Sequence, residues 1–195
     1  MWNMLVNFAQ IFYKMMSEVK LQGLTFEPYI RREEILKQVS RVAAEVRRDC
    51  KTKNPIFLCV LTGAFMFAAD FYRLVDLPES EIVFIRFKSY EGMQSTGNIN
   101  TVMGLSEDIK GREVIILEDI VDTGVTAQKL REVLQEKEPM SVKMVSLLFK
   151  PASLTAGNPP EYVGFEIPSK FILGYGLDLD GKARNLPDIY VLKEE

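Results

Sequence analysis

Four short apolar runs, spaced by stretches of helical length, constrain this chain more than any other feature. Ile56–Leu61, Ile82–Ile85, Val114–Leu117 and Lys143–Phe149 read as buried strands, each too brief to be a buried helix. Residues 31–49 place Ile35, Val39, Val42, Ala43 and Val46 at the spacing of one helical face. Two further helices are predicted, one from Ala64 to about Val75 and one from Ala127 to about Lys137. Shorter β-like pieces come later, at Tyr162–Phe165, Phe171–Tyr175 and Ile189–Leu192, and the polar, aperiodic stretch 89–100 reads as a long flexible loop. Strands alternating with helices predict an α/β fold built on a mainly parallel sheet. Ligands in such folds bind beyond the carboxyl ends of the strands, so the residues just past each strand decide the function.

The composition excludes several kinds of chemistry. The chain has 195 residues and no histidine, which removes histidine-based triads, general bases and zinc sites. Acid–base work then falls to Asp, Glu, Lys, Tyr or Cys, and a metal would be a hard cation on oxygen ligands, such as magnesium. A net charge of −3 argues against a broad nucleic-acid or anionic-lipid surface. The two cysteines, Cys50 and Cys59, are too few for a disulfide framework, and Cys59 reads as a small buried hydrophobe in a reducing, cytoplasmic setting. Residues 1–19 are expected to be an N-terminal extension, too short and too interrupted to span a bilayer and lacking the marks of a signal peptide. We expect translation to begin at Met15 or Met16, and residues 20–195 to form a single domain.

The third apolar run opens into Glu118-Asp119-Ile120-Val121-Asp122-Thr123-Gly124-Val125-Thr126. Asp122 to Thr126 has the make-up of a phosphate cradle: a glycine for close backbone approach, hydroxyls on Thr123 and Thr126, and a helix start beyond. The loop is too short, and lacks the lysine, for a triphosphate-binding GxxxxGK[ST] loop. Glu118 and Asp119 suit sugar hydroxyls or a magnesium ion beside the phosphate, so the stretch as a whole suits a ribose 5-phosphate. The plainer alternative is that Asp122 or Thr123 only caps the next helix and the acidic pair is solvated.

The segment 116–126 resembles the phosphoribosyl-pyrophosphate signature of type I phosphoribosyltransferases. The chain from about residue 20 to 193 is similar to the hypoxanthine-guanine branch of that family, through Val163-Gly164-Phe165-Glu166-Ile167-Pro168 and Gly174-Tyr175-Gly176-Leu177-Asp178. The resemblance implies a parallel sheet flanked by helices, a small base-binding hood and a flexible active-site loop. It implies Asp122 as the general acid–base near N7 of the purine, with Glu118 and Asp119 on the ribose and on magnesium. Thr123, Gly124, Val125 and Thr126 would bind the 5′-phosphate, and Thr62, Gly63 and Arg184 the pyrophosphate. The family often carries a cis peptide at the Leu61-Thr62 position, and some relatives have lysine where this chain has Thr62. Ser89 and Tyr90 match the flexible loop, with Arg86 and Lys88 ahead of it either offsetting pyrophosphate charge or simply exposed at a strand end.

By the same resemblance, residues 151–195 contribute the purine site. Ile120 would lie against the ring, Lys150 would donate to the 6-oxo group, and Phe171 would stack with the Ile172 backbone at the exocyclic edge. Asp178 would lie at the base site as a magnesium ligand. Taken singly, Phe171 reads as core and Lys150 as a solvated cation. The expected reaction is transfer of phosphoribosyl from phosphoribosyl pyrophosphate to N9 of hypoxanthine or guanine, with Mg2+, in a homo-oligomer (dimer or tetramer) with no nucleic-acid or membrane partner. The alternatives are a xanthine-preferring enzyme and a non-catalytic phosphoribosyl-pyrophosphate-sensing regulator.

Overall fold

In a computed structural model the described residues are 18–87, 102–103 and 105–193. They gather into two compact units, one of residues 36–169 and the other of the segments before residue 36 and from 170 onward. Expectations for residues 1–17 and for Lys88, Ser89, Tyr90 and the rest of the 89–100 loop lie outside the described residues.

The larger unit is built on strands β3 (Ile56–Leu61), β4 (Glu81–Phe87), β5 (Val102–Met103), β6 (Glu113–Val121), β7 (Ser141–Phe149) and β8 (Tyr162–Glu166). Their order across the sheet is β5-β4-β3-β6-β7-β8, parallel throughout except for β5, which runs antiparallel to β4. Burial is nearly continuous along β3 and most of β6, as it must be for strands covered on both faces. Ile56, Leu58, Val60, Val114, Ile116, Leu130 and Met144 share one cluster. Phe57 projects from the opposite side of β3, its ring 5.6 Å from that of Phe71 on the next helix, edge to face.

Among the described residues three α-helices complete the layers: α1 (Arg32–Asp49), α2 (Phe65–Val75) and α3 (Val125–Gln135). The stripe Ile35, Val39, Val42, Ala43 and Val46 on α1 is buried, as its spacing requires. Glu33 and Glu34 in its first turn, and Arg47 and Arg48 in its last, complement the helix dipole. From β3 the chain turns to β4 on one side, then returns to β6 and continues through β7 to β8 on the other. The switch point between β3 and β6 is where an open α/β sheet leaves a crevice at its carboxyl edge.

The smaller unit is an antiparallel sheet in the order β1-β2-β10-β9, with β1 at Val19–Leu21, β2 at Leu24–Ile30, β9 at Ile172–Leu173 and β10 at Ile189–Leu192. Phe26, Leu173 and Tyr190 form its core. The β1–β2 hairpin is not evident from the sequence, where Pro28 interrupts a run of mixed polarity. It closes through Gln22 and Gly23, both with positive φ (52° and 81°), the backbone of a tight two-residue hairpin turn. The β-like stretch expected from Phe171 to Tyr175 shortens to Ile172–Leu173, because Gly174, Tyr175 and Gly176 all adopt positive φ and turn the chain. Among the described residues no helix is long and apolar enough to cross a membrane.

Candidate active site

Strand β6 is longer than its apolar run suggests, continuing through Glu118, Asp119, Ile120 and Val121. Its pairing with β3 ends at Cys59 and Leu117, while its pairing with β7 persists to Val121 and Phe149. Past Leu117, then, the strand is free on the β3 side, at the switch point. The two-residue period of the strand separates its side chains. Asp119 and Val121 are buried, whereas Glu118 and Ile120 are partly exposed.

These residues, with Val60, Asp122, Thr123, Gly124, Thr126 and Ala127, line a cavity of about 280 Å³. Loss of water around the Glu118 carboxyl, and then the Asp119 charge beside it, push Glu118 well above the ordinary carboxylate range. The same two acids, after burial, push the thiol of Cys59 up to about 12, so Cys59 is an inert apolar filler as expected.

Thr62 and Gly63 come after β3, across the crevice, and the Leu61–Thr62 peptide is cis. A Cβ on Gly63 would collide with the Asp119 carboxylate. Glycine here makes room for an acid on the neighbouring strand. Thr62 is exposed, and Arg86, near the end of β4, is exposed too.

The turn after β6 departs from the capping alternative. Helix α3 starts at Val125, two residues earlier than its periodicity implied, so Val125 and Thr126 sit in its first turn. Gly124 occupies the N-cap with φ 81°, and no side chain caps the helix. No acidic residue stands in the first turn, so an anion meets an N-terminus whose first amides have no intrahelical acceptor. Gly124 also makes room for protein: a Cβ there would strike the Ala156 carbonyl and approach Leu154 Cδ1 to 2.6 Å.

Lys150 is not a solvated cation. It is buried at the end of β7, and its Nζ lies 2.7 Å from Asp122 Oδ2. The backbone fixes this meeting: β6 and β7 run parallel to Val121 and Phe149, and Lys150 N–H donates to Val121 O at 3.0 Å. Two groups 28 positions apart in the sequence thus face each other beside the phosphate turn.

In the smaller unit Phe171 is not core either; it is 45% exposed, and its ring lies 6.1 Å from that of Phe26. Ile172 beside it is buried. Asp178 and Arg184 are partners, with Arg184 Nη2 2.6 Å from Asp178 Oδ1 and Arg184 Nη1 donating to Gly176 O. The second Asp178 oxygen accepts the Gly181 N–H at 2.6 Å.

Among the described residues no three or more Asp, Glu, Cys or His side chains converge on one point as a metal cage. The adjacent carboxylates of Glu118 and Asp119 offer oxygen ligands of the kind magnesium takes when phosphates and water supply the rest.

An acid pair and an uncapped helix start thus meet at the switch point of a parallel sheet. The model of the phosphoribosyl transferase domain matches residues 29–180. The hypoxanthine-guanine-xanthine phosphoribosyltransferase of Tritrichomonas foetus is 40% identical over 163 residues, covering 83% of this chain and 88% of its own. The hypoxanthine-guanine phosphoribosyltransferase of Streptococcus pneumoniae is 40% identical over 167 residues, covering 85% and 92%. Among solved structures, a hypoxanthine-guanine phosphoribosyltransferase from Bacillus anthracis superposes with a TM-score of 0.77 at 35% identity, covering 86% of this chain and 98% of that one. This chain belongs to the phosphoribosyltransferase family, and its parallel sheet with a small antiparallel hood is the type I fold.

Proposed function

We propose that this protein transfers the 5-phosphoribosyl group of phosphoribosyl pyrophosphate to N9 of hypoxanthine or guanine, giving IMP or GMP and pyrophosphate. The observation that carries the reading is the Lys150–Asp122 pair, 2.7 Å apart beside the phosphate turn. Lysine donates and cannot accept, so it suits a 6-oxo group and opposes a 6-amino group. Asp122 is the carboxylate within reach of the ring nitrogens once Lys150 engages the oxo group. Relatives named for hypoxanthine and guanine transfer support this reading over a sensor or a nucleic-acid-binding regulator.

In this reading the 5′-phosphate rests on Thr123, Gly124, Val125 and Thr126, and Glu118 and Asp119 hold the ribose hydroxyls. Ile120 lies against the base, and the exposed ring of Phe171 offers a stacking face with the Ile172 backbone beside it. Thr62, Gly63 and Arg184 take the pyrophosphate, and Ser89 and Tyr90, outside the described residues, are the positions the family resemblance assigns to the loop over the reacting sugar. Magnesium, on Glu118 and Asp119 at one position or on Asp178 at another, with phosphate oxygens completing its ligands, would supply charge stabilisation to the departing pyrophosphate. The chain's own work is to orient N9 behind the sugar carbon, to exclude water from it, and to take the purine proton on Asp122. We also read the protein as a cytoplasmic homo-oligomer with no nucleic-acid or membrane partner, which sedimentation would examine.

The test offers hypoxanthine, guanine, xanthine and adenine separately with phosphoribosyl pyrophosphate and magnesium, monitoring nucleotide formation by absorbance. Turnover of hypoxanthine or guanine and none of adenine is expected. Silence with every base, from folded protein that binds phosphoribosyl pyrophosphate, sinks the proposal.

A further inference from the structure

The segment after Lys150 lines no part of the active-site cavity, yet it is tied to the phosphate turn more closely than any cavity-lining residue requires. The Thr155 and Ala156 amides both donate to the Thr123 carbonyl, at 3.0 and 3.1 Å, and the Thr155 hydroxyl donates to it at 3.3 Å. Three donors on one carbonyl oxygen, from outside the turn, fix the orientation of the Thr123–Gly124 peptide unit. That peptide is trans, so its N–H points opposite to its C=O. With the carbonyl drawn toward residues 155 and 156, the Gly124 N–H is turned away from that segment.

The segment is itself anchored. Leu154 packs against the sheet's hydrophobic cluster and lies close to Gly124. Gly157, at φ 71°, comes so near α3 that a Cβ there would lie 3.0 Å from Gln128 Cβ. Gly124 lacks a side chain where the Ala156 carbonyl crosses it. Each of these features presses the segment onto the turn, and Leu154, Ala156 and Gly157 are not among the residues that line the cavity.

We propose that residues 154–156 form a positioning strap, which holds the Thr123 carbonyl away from the ligand so that the Gly124 amide faces the 5′-phosphate. This rests on the phosphoribosyl reading of the site. The strap residues touch no substrate; they act through the backbone of the turn. Without them the Thr123 peptide could rotate and present a carbonyl, rather than an N–H, to an anion.

The test replaces Ala156 with proline, which removes one of the three donors, and measures KM for phosphoribosyl pyrophosphate, kcat, and binding of ribose 5-phosphate and of inorganic pyrophosphate. KM and the ribose 5-phosphate dissociation constant are expected to rise about tenfold, the upper range for one hydrogen bond, with kcat and pyrophosphate binding within about twofold. A second variant, Thr155→Val with Leu154→Ala, keeps every amide and is expected to weaken ribose 5-phosphate binding roughly threefold. A folded variant of either kind that binds ribose 5-phosphate as tightly as the parent protein overturns the strap. An equal loss of pyrophosphate binding also overturns it, since that would mark general loosening. If the parent protein itself binds no ribose 5-phosphate, the failure belongs to the phosphoribosyl reading instead.

Discussion

The two ends of β6 carry acids in opposite circumstances. At its amino end Glu113 is buried, and one of its oxygens accepts from the Lys51 amide, the Thr52 amide and the Thr52 hydroxyl at 2.6–2.8 Å. At its carboxyl end, five residues on, Glu118 is raised by burial and by the charge of a second acid. Glu161, also at the amino end of the sheet but exposed, is likewise given donors, meeting both terminal guanidinium nitrogens of Arg131 and the Met144 amide. An acid given donors closes a loop and adds stability; an acid set beside another acid suits a positive or hydroxylic ligand. The amino end is a structural seam; the carboxyl end is, in the proposed function, the binding surface.

The sharpest break in that comparison would come from Asp122. Asp122→Asn is expected to lower turnover about 10²–10⁴-fold, the range for a general acid–base group, with little change in melting temperature. Steady-state kinetics beside a thermal melt check it, and full activity would remove Asp122 from the role. Next in size is Gly63→Ala. Its Cβ would displace the Asp119 carboxylate, and misplacement by about 1 Å can cost roughly 10²-fold in rate. Measured kcat/KM for phosphoribosyl pyrophosphate should fall by that order; an unchanged value would mean Asp119 is not needed where it stands.

Glu113→Gln should do the reverse. It weakens the acceptor for three donors, costing about 1–3 kcal/mol. At roughly 2–4 °C per kcal/mol for a chain of this size, the melting temperature drops several degrees while kinetics hold. A kinetic defect without loss of stability would blur the two ends.

The smallest effect concerns acid. Burial works against the Glu161 charge, but the Arg131 and Met144 hydrogen bonds outweigh it, so the Glu161 pKa lies below its ordinary value of 4.5. Its stabilisation is therefore whole above that value and is lost as pH falls through the lowered one. Urea midpoints of the parent and of Glu161→Gln should differ at neutral pH and converge in acid. Parallel curves would show that the Arg131 pair contributes nothing that titrates.

The sequence by itself determined most of the strands and the three described helices, because a two-residue or 3.6-residue period is local information. Ile56–Leu61 and Ile189–Leu192 coincide with strands, and the buried stripe of α1 falls on the predicted residues. It also showed where to look for a ligand, since an acidic pair and a small-residue turn after an apolar strand are contiguous. The β1–β2 hairpin stayed hidden because Pro28 breaks the pattern, although β2 has β10 beside it at that position. Only the tertiary structure could separate Glu113 from Glu118, since both are acids on one strand and their partners come from Lys51, Thr52 and Asp119. It also decided that Lys150 meets Asp122, that Gly63 serves Asp119, and that Gly124 serves Ala156. Those relations depend on which backbone passes within a few ångströms of which, and a one-dimensional pattern carries no record of that.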